Sequence, residues 1–396
     1  MPLELQTWFE QLDVLLWQHQ RYWQLSPMQC QQFPWPEHTE LAALLADFQL
    51  DDCEAIDQNP ALAQQHFARF WPALWQLPQP ELLQPTPAAS PFWLATDIAG
   101  RKWQQIQYFA ATVGQAKLPV LEWCAGKGHL GRLLAHQFGC AVHSVEWQAE
   151  LCQQGEHSAR RLSLPQRFSQ RDVLKDDCRD LFQPAQQVLA LHACGDLHRV
   201  ALQEASAAGC QQVHVLPCCY HLQQTALYQP LSVAARSSRL QLTKAQLKLA
   251  VQGHATGGAR ISRLRQTEVW WRRAYQLWRA ELTGDPHYQP LPSVGKHWFS
   301  GAFVEFARWA AAQHQLTLPL ADDGEQYLQQ AQALLLLQRR IELVQHLFRR
   351  PLELWLVLDR ALYLAEQGYQ VSVRQLCETQ ITPRNLLLSG WRAEQH

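Results

Sequence analysis

Val120-Leu-Glu-Trp-Cys-Ala-Gly-Lys-Gly-His-Leu-Gly-Arg132 is the stretch that decides the fold. Its apolar start reads as a buried strand, and Gly126 and Gly128 then turn the backbone sharply into a helix. Glycines at such a turn leave room for a ligand to approach the backbone, and the first N–H groups of the helix are free to bind it. A tight turn between strand and helix with no ligand at all would carry the same glycines.

Outward from this turn, strands and helices alternate. Short apolar runs at 119–124, 141–145, 188–192 and 213–216 are each bounded by turn residues or a helical stretch. Gly139 sits where the helix after the glycine turn should end, and Gly209 plays the same part before Val213. Alternation of this kind predicts an α/β fold of Rossmann type, a mainly parallel sheet with ligands bound beyond the carboxyl ends of its strands. The sequence divides into an N-terminal helical region at 1–77, a Pro-rich linker at 78–91, the α/β core at 92–230, a basic helical insertion at 231–350, and a last core helix with a closing hairpin at 351–396. Leu5, Trp8, Phe9, Leu12, Leu15 and Leu16 mark one face of a first helix, and Asn59-Pro60 reads as the cap and first turn of another. Helix is expected from His221 to about Gln367, followed by strands at 369–376 and 385–391.

The 396 residues suit two or three packed units, and 47% hydrophobic with 17% charged residues argues for a large core rather than disorder. No uncharged apolar run is long enough to span a membrane, and no signal-peptide pattern opens the chain. Eleven cysteines at scattered spacings do not form a disulfide framework. A reducing cytoplasm, with no membrane partner, is the expectation.

Gly126, Gly128 and Gly131 satisfy G-x-G-x-x-G, and Glu146 lies twenty residues beyond Gly126. That spacing fits a nicotinamide dinucleotide as well as S-adenosylmethionine, so an NAD-linked oxidoreductase is one alternative. Glu122 favours the second cofactor, because a dinucleotide fold normally has only apolar residues at that point of its first strand. Asp172 follows where a third strand would end, suited to accept from an adenine amino group, and Glu146 would take two ribose hydroxyls. Solvated acids at loop ends would leave the same trace. The expected cofactor pocket comprises Glu122, Ala125, Gly126, Gly128, Leu130, Gly131, Glu146, Asp172 and Val173.

Cys124-Ala-Gly-Lys-Gly-His-Leu-Gly131, His192-Ala-Cys-Gly-Asp-Leu197 and Cys218-Cys-Tyr-His221 together resemble a methyltransferase-domain family that includes the ribosomal RNA adenine dimethylase domain-containing proteins and bacterial relatives. Gly100-Arg-Lys-Trp103, Leu358-Asp-Arg360 and Thr382-Pro-Arg-Asn385 extend the resemblance from about residue 95 to 391. The glycine turn and the Cys-Cys-His pair are also similar to motifs of a tRNA ribose 2′-O-methyltransferase family. The resemblance implies a class I fold, S-adenosylmethionine as cofactor and an RNA acceptor, with Arg101 and Lys102 as a basic pair before the first core helix. A protein acceptor is the alternative. No Asn-Pro-Pro-Tyr or Asp-Pro-Pro-Tyr motif is present, which counts against adenine N6 chemistry. Oligomeric state is not legible.

The candidate reaction mouth lies after the fourth and fifth strands: His192, Cys194, Asp196, Cys219, Tyr220 and His221. These residues can orient or deprotonate an acceptor, or supply a cysteine that attacks a pyrimidine ring. They can also hold a zinc or iron ion, against which two adjacent cysteines count, and no metal is assigned. The cysteines can equally be small buried hydrophobes beside a satisfied core histidine. Between Arg236 and Arg279 the chain has ten basic residues and one acid, Glu268, with Trp270, Trp271, Tyr275 and Trp278 interleaved. Arg263, Arg265 and Arg272 are therefore candidate contacts to RNA phosphates, beside rings that can stack on bases. A helix with solvated arginines and core tryptophans has the same pattern.

Overall fold

The computed structural model describes residues 2–114, 118–252, 259–319 and 323–392. The chain forms two compact units, one comprising residues 1–23, 71–253 and 347–396, the other 24–70 and 254–346. The first holds a seven-stranded sheet: β1 Val120–Trp123, β2 Val142–Glu146, β3 Gln166–Gln170, β4 Gln187–Cys194, β5 Gln212–Cys218, β6 Gln370–Gln375 and β7 Leu386–Trp391. Their spatial order is β3-β2-β1-β4-β5-β7-β6. The first five strands run parallel, and β7 inserts antiparallel between β5 and β6. β1 thus has neighbours reached by connections in both directions, the switch point at which α/β sheets open a crevice. The antiparallel β7 departs from the all-parallel 3-2-1-4-5-6 order of dinucleotide folds, which weakens the oxidoreductase alternative.

The apolar strands read from the sequence are the central ones. Val120, Leu121, Trp123, Val188, Leu189, Ala190, Val213, Val215 and Leu216 are buried, as strands covered on both faces require. The helices Gly100–Val113 and His129–Phe138 cover one face through Ile106, Phe109, Leu130, Leu133 and Leu134. Gly139 ends the second of these in the left-handed region (φ +65°), its N–H donating to Ala135 O. The Pro-rich segment is no free linker: Leu82 bridges Gln375 in parallel, extending the β6 edge.

The N-terminal region is divided between the units. Helix Pro2–Gln18 belongs with the sheet, where Phe9 packs on Trp355 (5.2 Å) and Trp355 Nε1 donates to Asp13 Oδ1 (2.8 Å). Its partner helix, Arg349–Glu366, is buried along nearly its whole length. Residues 24–70 instead belong to the second unit, where Asn59 Oδ1 caps helix Pro60–Phe67 by accepting from Ala61 N at 3.0 Å. In that unit helix Ala259–Thr283 lays Trp271, Tyr275 and Trp278 against Phe303, Phe306 and Tyr327.

The chain beyond His221 is not continuously helical. Among the described residues, only Val233–Arg236 and Lys244–Leu249 are helical before Ala259. The reason lies 130 residues away. Asp359, fully buried, accepts from the N–H groups of Leu231 (3.0 Å) and Ser232 (2.7 Å) and from the Tyr228 hydroxyl. Those N–H groups serve a carboxyl instead of a helix. Beside it, Arg360 Nε donates to His198 Nε2 (2.8 Å), tying this helix to Asp196–Ala207.

Asp359→Ala leaves three buried donors unpaired, each costing about 1–3 kcal/mol. A loss of about 3–5 kcal/mol in unfolding free energy is expected by denaturant titration; a loss below about 1 kcal/mol would remove this account.

Candidate active site at the strand carboxyl ends

The turn after β1 is held from β2. Ala125 N donates to Val145 O (2.9 Å), and Gly126 N donates to Glu146 Oε2 (2.9 Å). The other oxygen, Oε1, accepts from Gln148 N at 3.1 Å. Each carboxylate oxygen keeps a lone pair for a further donor, so the geometry suits a pair of ribose hydroxyls. Gly126 stands at φ +58°, and a Cβ added there would meet nothing within 4 Å. The space above the turn is open, as a cofactor cradle must be. Next to Glu146, Trp147 is 62% exposed. A flat apolar ring beside a hydroxyl-binding acid can stack on a purine. The sequence reading did not single out this indole, though an aromatic directly after the second-strand acid was its signal.

Glu122 lies under the turn rather than in the pocket. Its side chain accepts from Ser144 Oγ (2.6 Å) and from the N–H groups of Leu130 and Gly131, where helix His129–Phe138 begins. A Cβ on Gly131 would stand 2.5 Å from Glu122 Oε2. Gln166 Nε2 completes the network, donating to Ser144 Oγ and to Gly128 O, both at 2.9 Å. Glu122 therefore positions the glycine turn, and its buried polar companions, Ser144 on β2 and Gln166 at the start of β3, were missed. Burial pushes the Glu122 carboxyl up to about 7, against the lowering effect of these hydrogen bonds.

The acid after β3 is largely committed to its own turn. Asp172 pairs with Lys175 Nζ at 2.8 Å and accepts from Leu174 N at 3.3 Å. Arg171 N donates to Glu146 O (3.0 Å), which sets this turn beside the pocket, and Val173 is buried behind it.

The ends of β4 and β5 are irregular in a related way. Three non-glycine residues at the strand ends, Cys124, His192 and Cys219, have φ of +55°, +65° and +48°. Such conformations cost roughly 1–3 kcal/mol each and collect at functional sites. Gly195 locks the two loops together: its N–H donates to Cys218 O (3.1 Å), and a Cβ there would fall 1.7 Å from Leu222 O.

Of the predicted mouth residues, four are grouped here. His192 Nε2–H donates to Gln105 Oε1 at 2.7 Å, with the amide oriented by Gln105 Nε2 donating to Ile381 O (3.4 Å). That leaves His192 Nδ1 as an acceptor. Burial first, then the charges of Lys102 and Arg384, hold the imidazole below its ordinary range, neutral at physiological pH. The thiols of Cys194 and Cys219 meet that of Cys218, and His221 Nδ1 is buried without a hydrogen-bond partner. Hydrogen bonds from Cys194 and Cys218 draw the Cys219 thiol down, while those with Cys194 and Cys219 push Cys218 up.

Two predicted residues have other work. Asp196 begins helix Asp196–Ala207, pairs with Arg199 (3.6 Å) and accepts from Gln224 N (2.8 Å), so it fixes the loop after β5. Tyr220 points inward, 2% exposed, its ring 4.9 Å from the Arg360 guanidinium and 5.9 Å from His198. Gln105 and Arg384 were missed. Arg384 lies within the quoted Thr382-Pro-Arg-Asn385, and its charge reaches His192, Cys194 and Cys219.

Arg101 and Lys102 are exposed in the first turn of helix Gly100–Val113. In the second unit Arg263 and Arg265 are exposed, but Arg272 is tied to Glu268 Oε1 (2.9 Å) and Pro292 O (2.9 Å). Arg279 is buried against Asp285, and the Arg260 side chain lies outside the described residues. Trp271, Tyr275 and Trp278 are core, and Trp270 Nε1 donates to Leu328 O (2.8 Å). The expected base-stacking surface is therefore not formed by these rings.

Residues 101–226 match a family described as a methyltransferase domain. No curated protein matches the sequence. Solved structures with some likeness include the N-terminal domain of EvdMO1 in the presence of SAH and D-fucose (16% identity over 30% of this chain and 51% of that one, TM-score 0.26). Others are geranyl diphosphate methyltransferase with GPP and sinefungin (17%, 40% and 65%, TM-score 0.26) and magnesium protoporphyrin IX methyltransferase from Synechocystis PCC 6803 with SAH (15%, 41% and 71%, TM-score 0.26). The chain spans about half the length of EvdMO1's domain. The likeness is weak, and the family match and sheet order stand without it. The family match falls on the part of the chain that carries β1 to β5 and the glycine turn held by Glu146.

Glu122 makes stability depend on pH. Between about pH 4.5, its ordinary value, and about 7, the folded chain keeps a proton that the unfolded chain releases. Stability should therefore fall as pH rises through that window, by roughly 3 kcal/mol in all. Denaturant titrations at pH 5 and 8 should show the fall in the native chain and its loss in Glu122→Gln.

Proposed function

We infer that this chain is an S-adenosylmethionine-dependent methyltransferase whose acceptor is RNA. The observation that carries the first part is Glu146, whose two oxygens grip Gly126 and Gln148 while facing an open cradle with an exposed indole beside it. When bound, the cofactor supplies an electrophilic methyl group on a sulfonium. The chain's own part is to orient the reactants and remove a proton from the acceptor. Glu146 orients the ribose and Trp147 stacks on the adenine. His192, neutral and with Nδ1 free to accept, takes the acceptor's proton while Gln105 holds its ring.

An anionic acceptor suits the cations about this mouth: exposed Arg101, Lys102 and Lys127, with Arg384 half-buried. The motif resemblance to ribosomal RNA adenine dimethylase domain-containing proteins and to tRNA methyltransferases supports RNA, and the missing Asn-Pro-Pro-Tyr favours an atom other than adenine N6.

S-adenosylmethionine at about a hundred times its Kd should stabilise the native chain by roughly 2.7 kcal/mol, read as a raised Tm. Glu146→Ala should lose most of that shift, whereas a full shift in the variant would remove the pocket assigned here. His192→Ala should keep the shift and lose methyl transfer by roughly a hundredfold or more. For the acceptor, label transferred from S-adenosylmethionine should enter the RNA fraction of cells lacking the gene. Its transfer should weaken steeply with salt. Label entering protein alone would overturn the RNA reading and leave the cofactor reading standing.

A further inference from the structure

Three thiols meet between the ends of β4 and β5. The Sγ atoms of Cys194, Cys218 and Cys219 all lie within 4.8 Å of one another, and those of Cys194 and Cys218 are 3.5 Å apart. Regular strands do not produce this. Successive side chains on a strand point to opposite faces, so Cys218 and Cys219 would be directed apart. They converge because Cys219 stands at φ +48°, a left-handed conformation that a non-glycine residue adopts only at a cost. On β4 the pairing with β5 slips between Leu191 and Cys194, with His192 at φ +65° inside the slip. Bulges of this kind re-aim side chains. Two separate irregularities, one in each strand, thus bring three sulfurs to one point.

We propose that Cys194, Cys218 and Cys219 bind one zinc ion through three thiolates. Zinc–sulfur bonds of about 2.3 Å in a tetrahedron place the sulfurs roughly 3.8 Å apart. The cluster is already close to that spacing. A disulfide would join one pair at about 2.05 Å and leave the third sulfur unexplained. Soft thiolates select zinc over magnesium or calcium. Binding exchanges three S–H bonds for three Zn–S bonds and releases three protons to solvent. The resulting site carries one net negative charge, which the Arg384 guanidinium offsets; its Nε is buried with no hydrogen-bond partner and its charge acts on Cys194 and Cys219. Cys194 and Cys219 are half-exposed, so the ion has a path in. Three protein ligands leave a fourth position for water or another donor from solution.

The test uses the full chain and does not depend on methyl transfer. After reconstitution with zinc chloride and dialysis, the native chain should retain one zinc per chain by elemental analysis. Cobalt chloride in its place should give the intense sulfur-to-cobalt charge-transfer band and visible bands of a tetrahedral thiolate site. Cys218→Ser and Cys219→Ser should each lose both signals; for Cys219→Ser, at the half-exposed position, circular dichroism should show a native fold. Cys140→Ser, two residues before β2, should keep both signals. The proposal is overturned if the reconstituted native chain retains no metal. It is equally overturned if both cluster variants keep the cobalt spectrum.

Discussion

The bond from Gly126 N–H to Glu146 is the contact on which the site depends. It joins the end of β1 to the end of β2, so the turn that opens the cradle is set by the neighbouring strand and not by its own glycines alone. The same carboxylate receives Gln148 N–H, and its backbone carbonyl receives Arg171 N–H from the chain leaving β3. One residue thereby gathers three strand ends. Beneath it, Glu122, Ser144 and Gln166 hold the other side of the turn by hydrogen bonds, with Gln166 Oε1 left without a partner.

The opposite half of the crevice is built by strain. Positive φ at His192 and Cys219 turns two side chains away from where a regular strand would send them. The loops hold these conformations because Gly195 and Asp196 bind them to the chain after β5. From farther away, Asp359 and Arg360 secure the same region, the first by fixing residues 228–232 and the second by holding His198. Buried polar groups on one helix thus govern a loop that lies more than a hundred residues earlier in the chain.

Periodicity and glycine spacing carried the central strands, the helix after the glycine turn and the closing hairpin, because burial on both faces leaves a continuous apolar run and a helix end leaves a glycine. Composition misled at the insertion. Arginines and tryptophans from 270 to 279 look alike whether they face a nucleic acid or a core, and here Trp278 stacks on Tyr327 at 5.2 Å while Arg279 is 3% exposed. The same limit applies to acids. Glu122, Glu146 and Asp172 were legible as carboxylates after three strands, yet one lies beneath the turn, one faces the cradle and one is paired with Lys175.

By itself, then, the amino-acid order determined the alternating α/β pattern, the glycine turn and the cysteine and histidine positions about the carboxyl ends of β4 and β5, since each depends on neighbours a few residues apart. Only the tertiary structure decided that Cys194 meets Cys218 and Cys219, that Tyr220 turns inward, that Gln105 holds His192, and that residues 24–70 leave the sheet for the other unit. Those outcomes rest on strand register, a bulge and a positive φ, which are set by contacts between distant segments and leave no local trace.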